Sequence, residues 1–130
     1  MKRVSLAVTV TIVVATLAII GFAQAFFLTG SRSLLVSLWE VDDRATSLLM
    51  TRFYQNWLGK RAGLAQPLSK TEALREAKEW LRGLSSAEVQ RELSEISRGE
   101  IRSRLARPAT GHPFEHPHDW AGFILMGDPN

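Results

Sequence analysis

The sequence contains no cysteine among its 130 residues. This absence excludes a thiol nucleophile, a disulfide framework and any zinc or iron–sulfur site that cysteine would ligate. The net charge is also small, since the sequence has 16 Lys and Arg and 13 Asp and Glu. So small an excess does not indicate a nucleic-acid partner. The length leaves room for one small domain.

Sequence motifs for nucleotide binding, for a catalytic serine and for zinc are missing as well. No G-x-G-x-x-G, G-x-x-x-x-G-K-[ST], G-x-S-x-G or H-E-x-x-H pattern occurs. Three histidines, His112, His116 and His118, lie close together near Glu115 and Asp119. Two of them precede proline, which favours extended backbone and excludes a helical i, i+4 zinc pair. We therefore predict no cofactor and no metal.

Residues 1–20 form an apolar N-terminal segment that permits three interpretations. Lys2 and Arg3 precede a stretch that carries no charge before Arg32. A signal peptide fits the basic start and the small-residue triplet over residues 23–25. A membrane anchor over residues 4–20 fits the length of the apolar run. A buried strand of an α/β core fits the many β-branched residues.

An acidic turn follows the next apolar element. Residues 22–28 predict a short helix that ends at Gly30, and residues 33–39 predict a strand buried on both faces. Asp42 or Asp43 is the predicted N-cap of a helix over residues 44–58. Because ligands bind beyond the carboxyl ends of strands in α/β sheets, residues 40–43 predict a binding pocket. The competing interpretation is that the aspartate only caps the helix.

Two further helices are marked by serine three residues before glutamate. The pairs are Ser69 with Glu72 and Ser85 with Glu88, and each predicts a capping box. The helix that begins near Ser85 has a thin apolar stripe, so we predict a surface insertion there. Residues 120–126 predict a last buried strand.

The order of these residues resembles a known family. GFAQAFFLTGSRSLLVSLWEVDD over residues 21–43 is similar to the centre of the CHAT domain, a caspase-like family often fused to tetratricopeptide repeats. His116-Pro117 and Trp120 follow in the family's order, and so does the run over residues 123–129. The resemblance covers residues 21–130, which divides the chain into an apolar segment, 1–20, and a CHAT-like part, 21–130.

The resemblance implies an α/β fold: a partial caspase-like sandwich made of the C-terminal strands and helices of a mainly parallel sheet. It also implies a cysteine peptidase whose histidine and cysteine lie before the segment that matches residues 21–30. Nothing in this sequence matches either position, so no catalytic residue is assigned. The expectation is a C-terminal fragment of such a peptidase that is non-catalytic alone.

The resemblance extends to a substrate pocket. In the related separases an acidic residue just after the matching strand holds a basic substrate side chain, which a carboxylate can pair bidentately. Asp43 is the position carried over, with Asp42 as second choice and Trp39 as a pocket wall.

The resemblance and the apolar N-terminal segment also lead to expectations about partners and location. The expected partner is a peptide or protein, a tetratricopeptide-repeat region, or a chain that supplies the catalytic pair, and not nucleic acid. The resemblance implies a cytoplasmic protein. The alternative is an interaction module anchored in a membrane or exported through residues 1–25.

Overall fold

The computed structural model describes residues 2–97 and 111–130. Its helices are α1 (Lys2–Leu28), α2 (Asp43–Trp57), α3 (Lys70–Gly83) and α4 (Ser86–Ile96), with a short 3₁₀ turn at Pro117–Asp119. Its strands are β1 (Ser33–Ser37) and β2 (Phe123–Gly127). The chain divides into two compact units, residues 1–34 with 126–128 and residues 35–125 with 129–130.

The first unit contains α1, which is much longer than the short helix predicted at residues 22–28. It is one helix of 27 residues that begins at Lys2. The buried-strand interpretation of residues 4–20 is therefore wrong. Strand preference depends strongly on context, and neither glycine nor proline interrupts the chain before Gly21.

The end of α1 agrees with the sequence. Gly30 takes a φ of +98°, the left-handed conformation that glycine adopts without strain. The Ser31 N–H donates to the Phe26 carbonyl at 3.1 Å and closes the last turn. Signal cleavage after Ala25 is not tested and stays a prediction. Within residues 2–97 and 111–130, no helix combines the length and the hydropathy needed to cross a bilayer.

The second unit is built on the apolar faces of α2 and α3. Leu48 and Leu49 of α2 and Leu81 of α3 are fully buried at this interface. The surface insertion predicted for α4 is wrong: Val89 is buried, and the rest of its thin stripe packs against the same core. The buried core residues are Ala45, Leu48, Leu49, Phe53, Ala73, Leu74, Ala77, Leu81, Leu84, Val89, Phe114 and Phe123.

The two predicted capping boxes have different outcomes. At α4 the box is complete, because the Ser85 hydroxyl accepts from the Glu88 N–H and the Glu88 carboxylate accepts from the Ser85 N–H at 2.8 Å. At α3 the Ser69 hydroxyl accepts from the Glu72 N–H at 3.3 Å. The Glu72 carboxylate accepts from the Ser69 hydroxyl instead of its backbone. The capping box at α3 is therefore only half formed.

The strands β1 and β2 pair with each other and run antiparallel. The Leu38 N–H donates to the Gly122 carbonyl at 2.9 Å, and the Asp128 N–H donates to the Arg32 carbonyl at 2.9 Å. Sheets with an antiparallel edge pair are common in α/β folds, but the expected mainly parallel sheet is not confirmed within the described residues. The prediction that β1 is buried on both faces is wrong, because its residues are only partly buried or exposed. A continuous apolar run does not by itself specify cover on both faces.

Candidate functional site

The acidic turn lies where the sequence predicts it, directly between β1 and α2. Asp42 is the N-cap of α2, and its carboxylate accepts from the Arg44 N–H at 2.8 Å and from the Ala45 N–H at 3.4 Å. The Arg44 guanidinium donates to both oxygens of the same carboxylate, each at 3.2 Å. Asp42 is therefore fully engaged by the start of its own helix.

The contacts of Asp42 also set its acidity. Partial burial pushes the pKa of this carboxyl up, but the hydrogen bonds and the positive charge of Arg44 outweigh burial. The net effect lowers the pKa of Asp42 below its ordinary value. The ionised form is the one that caps the helix, so capping and ionisation support each other.

Acid is expected to weaken this cap. Because the pKa of Asp42 is lower in the folded chain, its contribution is present above the ordinary aspartate pKa and is lost as pH falls through the folded value. Asp42→Asn keeps a good N-cap that does not titrate. Urea unfolding followed by circular dichroism should therefore show a flatter acid limb for the variant. Equal slopes in the two proteins would contradict this assignment.

Asp43 is placed differently from its neighbour. It is the first residue of α2, its side chain is exposed, and its carboxylate has no hydrogen bond or ion pair with any residue that the structure describes. A negative charge in the first turn is favoured by the helix dipole and costs little to keep there. Unlike Asp42, Asp43 is thus a carboxylate of the acidic turn that is open to solvent.

Trp39 lies at the start of this turn and is held from the opposite side by the C-terminal segment. Its indole N–H donates to the His118 carbonyl at 2.7 Å, and the two rings lie 5.9 Å apart between centroids. The ring packs so closely on Gly122 that a Cβ there would lie 2.7 Å from Trp39 Cε2. The indole is nonetheless 40% exposed, which suits a pocket wall.

Sequence reasoning missed the residues that contact the acidic turn from distant parts of the chain. Arg44 lies over the buried Phe114 ring at 5.8 Å from its centroid, and so connects Asp42 to the C-terminal segment. No local spacing signals this contact, because Phe114 is far away along the chain. In the sequence, His118 stands out only as one member of a histidine cluster.

His116 and His118 form hydrogen bonds that involve the backbone. His116 Nδ1 accepts from the His118 N–H at 3.1 Å and caps the 117–119 turn. Within the two described stretches, no group of three His, Asp or Glu side chains is arranged to hold a metal ion. An open cleft of about 380 Å³ lies elsewhere, and none of Trp39, Asp42 and Asp43 lines it. Its lining residues are Arg82, Gly83, His112, Glu115 and Trp120.

Comparison with known proteins identifies a family for this chain. No curated protein and no solved structure matches this chain. The family model of the CHAT domain matches residues 8–128, nearly the whole chain and beginning ahead of Gly21. The matched range contains β1, the acidic turn and all of α2, α3, α4 and β2. The chain therefore belongs to the CHAT domain family.

Proposed function

We propose that this chain carries the substrate-binding half of a caspase-like CHAT peptidase and uses Asp43 to hold a basic side chain of a peptide. The observation that carries the proposal is the different use of two adjacent carboxylates. Asp42 caps α2 and pairs with Arg44, whereas Asp43 is exposed and has no described partner. The caps-only interpretation accounts for the contacts of Asp42 and gives the Asp43 carboxylate no partner.

A basic side chain suits this position on chemical grounds. A carboxylate can accept two parallel N–H donors from one guanidinium, which adds direction to charge attraction. Trp39 offers a partly exposed aromatic face on the same turn, and such faces attract cations. Arg44 does not compete for Asp43 in the structure, because its guanidinium is paired with Asp42.

The proposal does not include catalysis by these 130 residues alone. They contain no cysteine, and the family's nucleophile is a cysteine. The proposed role is therefore recognition, with the catalytic pair supplied by another chain or a further region. A caspase-like sandwich with a mainly parallel sheet is part of this proposal.

Asp43→Asn should weaken binding of a fluorescein-labelled tripeptide that ends in arginine by about tenfold, because a hydrogen bond to an ionised group is replaced by a neutral one. Fluorescence anisotropy measures the dissociation constant. The same tripeptide ending in citrulline, which has nearly the shape of arginine without its charge, should bind weakly to both proteins. Neither the wild-type protein nor the variant should release a reporter group from an arginine-terminated substrate.

Glu40→Gln is the matched control, since it removes one negative charge from the same exposed turn. It should change the dissociation constant much less than Asp43→Asn does. If both variants lost affinity equally, the interaction would be a general charge effect and Asp43 would not be a specific ligand. Turnover of the reporter that disappears in Asp43→Ala would contradict the non-catalytic part of the proposal.

A second function, an interaction module anchored in a membrane or exported through residues 1–25, is favoured by one observation. Several large apolar side chains of α1 are more than half exposed, including Ile12, Leu17 and Phe22. Apolar surface of this kind marks interaction sites in soluble proteins. Mass spectrometry of the expressed chain tests it. A mature start at Phe26, or recovery in the membrane fraction, would support this second function, whereas an intact soluble or aggregated chain would support the first.

A further inference from the structure

Trp39 depends on the 117–119 turn for its position. The His118 carbonyl is the acceptor of the indole N–H, at 2.7 Å and 79 residues away in sequence. Gly122, just beyond the turn, lies against the ring with no space for a Cβ. A displacement of residues 117–122 would therefore move the wall of the proposed pocket.

The turn itself is closed by a histidine in place of the usual capping residues. His116 has extended backbone, and its Nδ1 accepts from the His118 N–H at 3.1 Å. Pro117 follows at the first position of the turn, where no backbone donor is needed. The Ala121 N–H donates to the Pro117 carbonyl at 2.8 Å and extends the same structure toward Gly122.

This capping bond exists in only one protonation state. A neutral imidazole has one nitrogen that accepts, whereas in the protonated ring both nitrogens are donors. Serine, threonine and asparagine would cap without this dependence. Histidine is the side chain whose ordinary charge change falls between about pH 5 and 8.

We infer that neutral His116 is a positioning residue for Trp39, acting through the 117–119 turn, so that mild acid releases the pocket wall. The inference deepens the proposed function and rests on it for its meaning, but the contact itself is independent of any ligand. While the His116 ring is neutral, the cap holds the His118 carbonyl on the indole. When the ring is protonated, the cap is lost and the indole loses its acceptor.

Charged groups face this segment from several elements. Arg44 of α2 lies over the Phe114 ring and Arg82 of α3 lies over the Trp120 ring, each at 5.8 Å from the ring centroid. Glu115 and Asp119 belong to the same segment, and Glu40 follows Trp39 on the loop that packs against it. Neither His116 nor His118 forms an ion pair with a carboxylate of the described chain. His118 also faces the indole through its ring, so a test must separate the two imidazoles.

The test follows the indole N–H resonance of Trp39 in ¹⁵N-labelled full-length chain, assigned by its disappearance in Trp39→Phe. Between about pH 8 and 5, the wild-type resonance should move upfield and lose protection from solvent exchange. His116→Asn should keep the high-pH position throughout, because asparagine accepts without titrating. His116→Ala should show the low-pH position at every pH.

Two controls make the result decisive. His118→Gln removes the second imidazole but keeps the carbonyl, so its transition should persist. The three other tryptophan indoles report whether each variant is folded. If His116→Ala does not fold, the result for His116→Asn is the deciding one. A transition that survives in His116→Asn, or that disappears in His118→Gln alone, would overturn the inference.

The arginine-terminated tripeptide connects the contact to the pocket. Its dissociation constant should rise severalfold from high to low pH for the wild type and stay nearly constant for His116→Asn. A chain that binds no peptide but shows the indole transition disproves the proposed function and leaves the positioning role standing. A chain that binds peptide equally at both pH values despite the transition shows that Trp39 is no part of the pocket.

Discussion

Asn56→Asp is expected to lower the free energy of unfolding by about 3 kcal/mol at neutral pH, because it puts an acceptor where a buried donor is required. Asn56 is fully buried in α2. Its amide nitrogen donates to the Ala73 carbonyl at 3.2 Å and also to the Glu76 carboxylate. The aspartate has nearly the same shape, but its second oxygen would face two acceptors, one of them ionised.

The pH dependence of this loss distinguishes it from a simple packing defect. Burial pushes the pKa of Glu76 up, but hydrogen bonds from Arg52 and Asn56 outweigh burial and lower it. The contribution of Glu76 in the wild type is therefore lost as pH falls through its folded pKa. The variant should behave in the opposite way at mildly acid pH, because protonation of its new carboxyl restores a donor toward Glu76.

Urea unfolding from neutral to mildly acid pH measures the loss of stability and its pH dependence. Gln55→Glu is the matched control. Gln55 is the neighbouring exposed residue, so the control adds the same charge and should change stability by about 0.5 kcal/mol at most. Adding Glu76→Gln to Asn56→Asp should recover part of the loss, since the new amide can donate to the aspartate. An equal loss in Asn56→Asp and Gln55→Glu would show that charge, and not the buried bond, is responsible.

The network around Asn56 also marks a limit of the sequence. The apolar stripes of α2 and α3 were predictable because helical spacing reports which face is buried. The same stripes say nothing of a polar residue among them. Arg52 donates to Glu76 at 2.6 Å, and Arg61 donates to the Asn56 side-chain oxygen at 2.6 Å. These partners lie on different elements, so no local pattern in the sequence connects them.

Helix α1 shows a second limit, that of composition. Valine and isoleucine favour strands on average, and their density made a strand one of three open interpretations. A helix satisfies all but its terminal backbone groups within its own segment, so it needs no partner strand to form. Where no neighbouring strand is specified by the sequence, the number of β-branched residues alone cannot decide between the two.

The candidate site was located by the sequence but not resolved by it. Both Asp42 and Asp43 are residue types that cap helices well, so either assignment was possible. Backbone geometry decides, because Asp42 has φ −53° and ψ 132° outside the helix and Asp43 is already within it. The contacts that fix Trp39 come from His118 and Gly122, and their proximity exists only in the folded chain.

Leu48→Ala is the counterpart on the apolar side of the same helix. Leu48 is fully buried between α2 and its neighbours, so its truncation leaves a cavity and should cost about 3 kcal/mol of unfolding free energy. Leu58→Ala, at a residue that is 50% exposed directly after α2, should cost much less. Thermal unfolding followed by circular dichroism compares the two variants.

The same variant separates stability from recognition. Asp43 binds through its own exposed carboxylate, so folded Leu48→Ala at low temperature should keep the wild-type dissociation constant for the arginine-terminated tripeptide. Asp43→Asn should show the reverse, with nearly unchanged stability and weakened binding. If Leu48→Ala lost affinity while its circular dichroism remained that of the folded chain, the position of Asp43 would depend on core packing beneath α2. Recognition would then belong to the packed α2–α3 pair and not to the acidic turn alone.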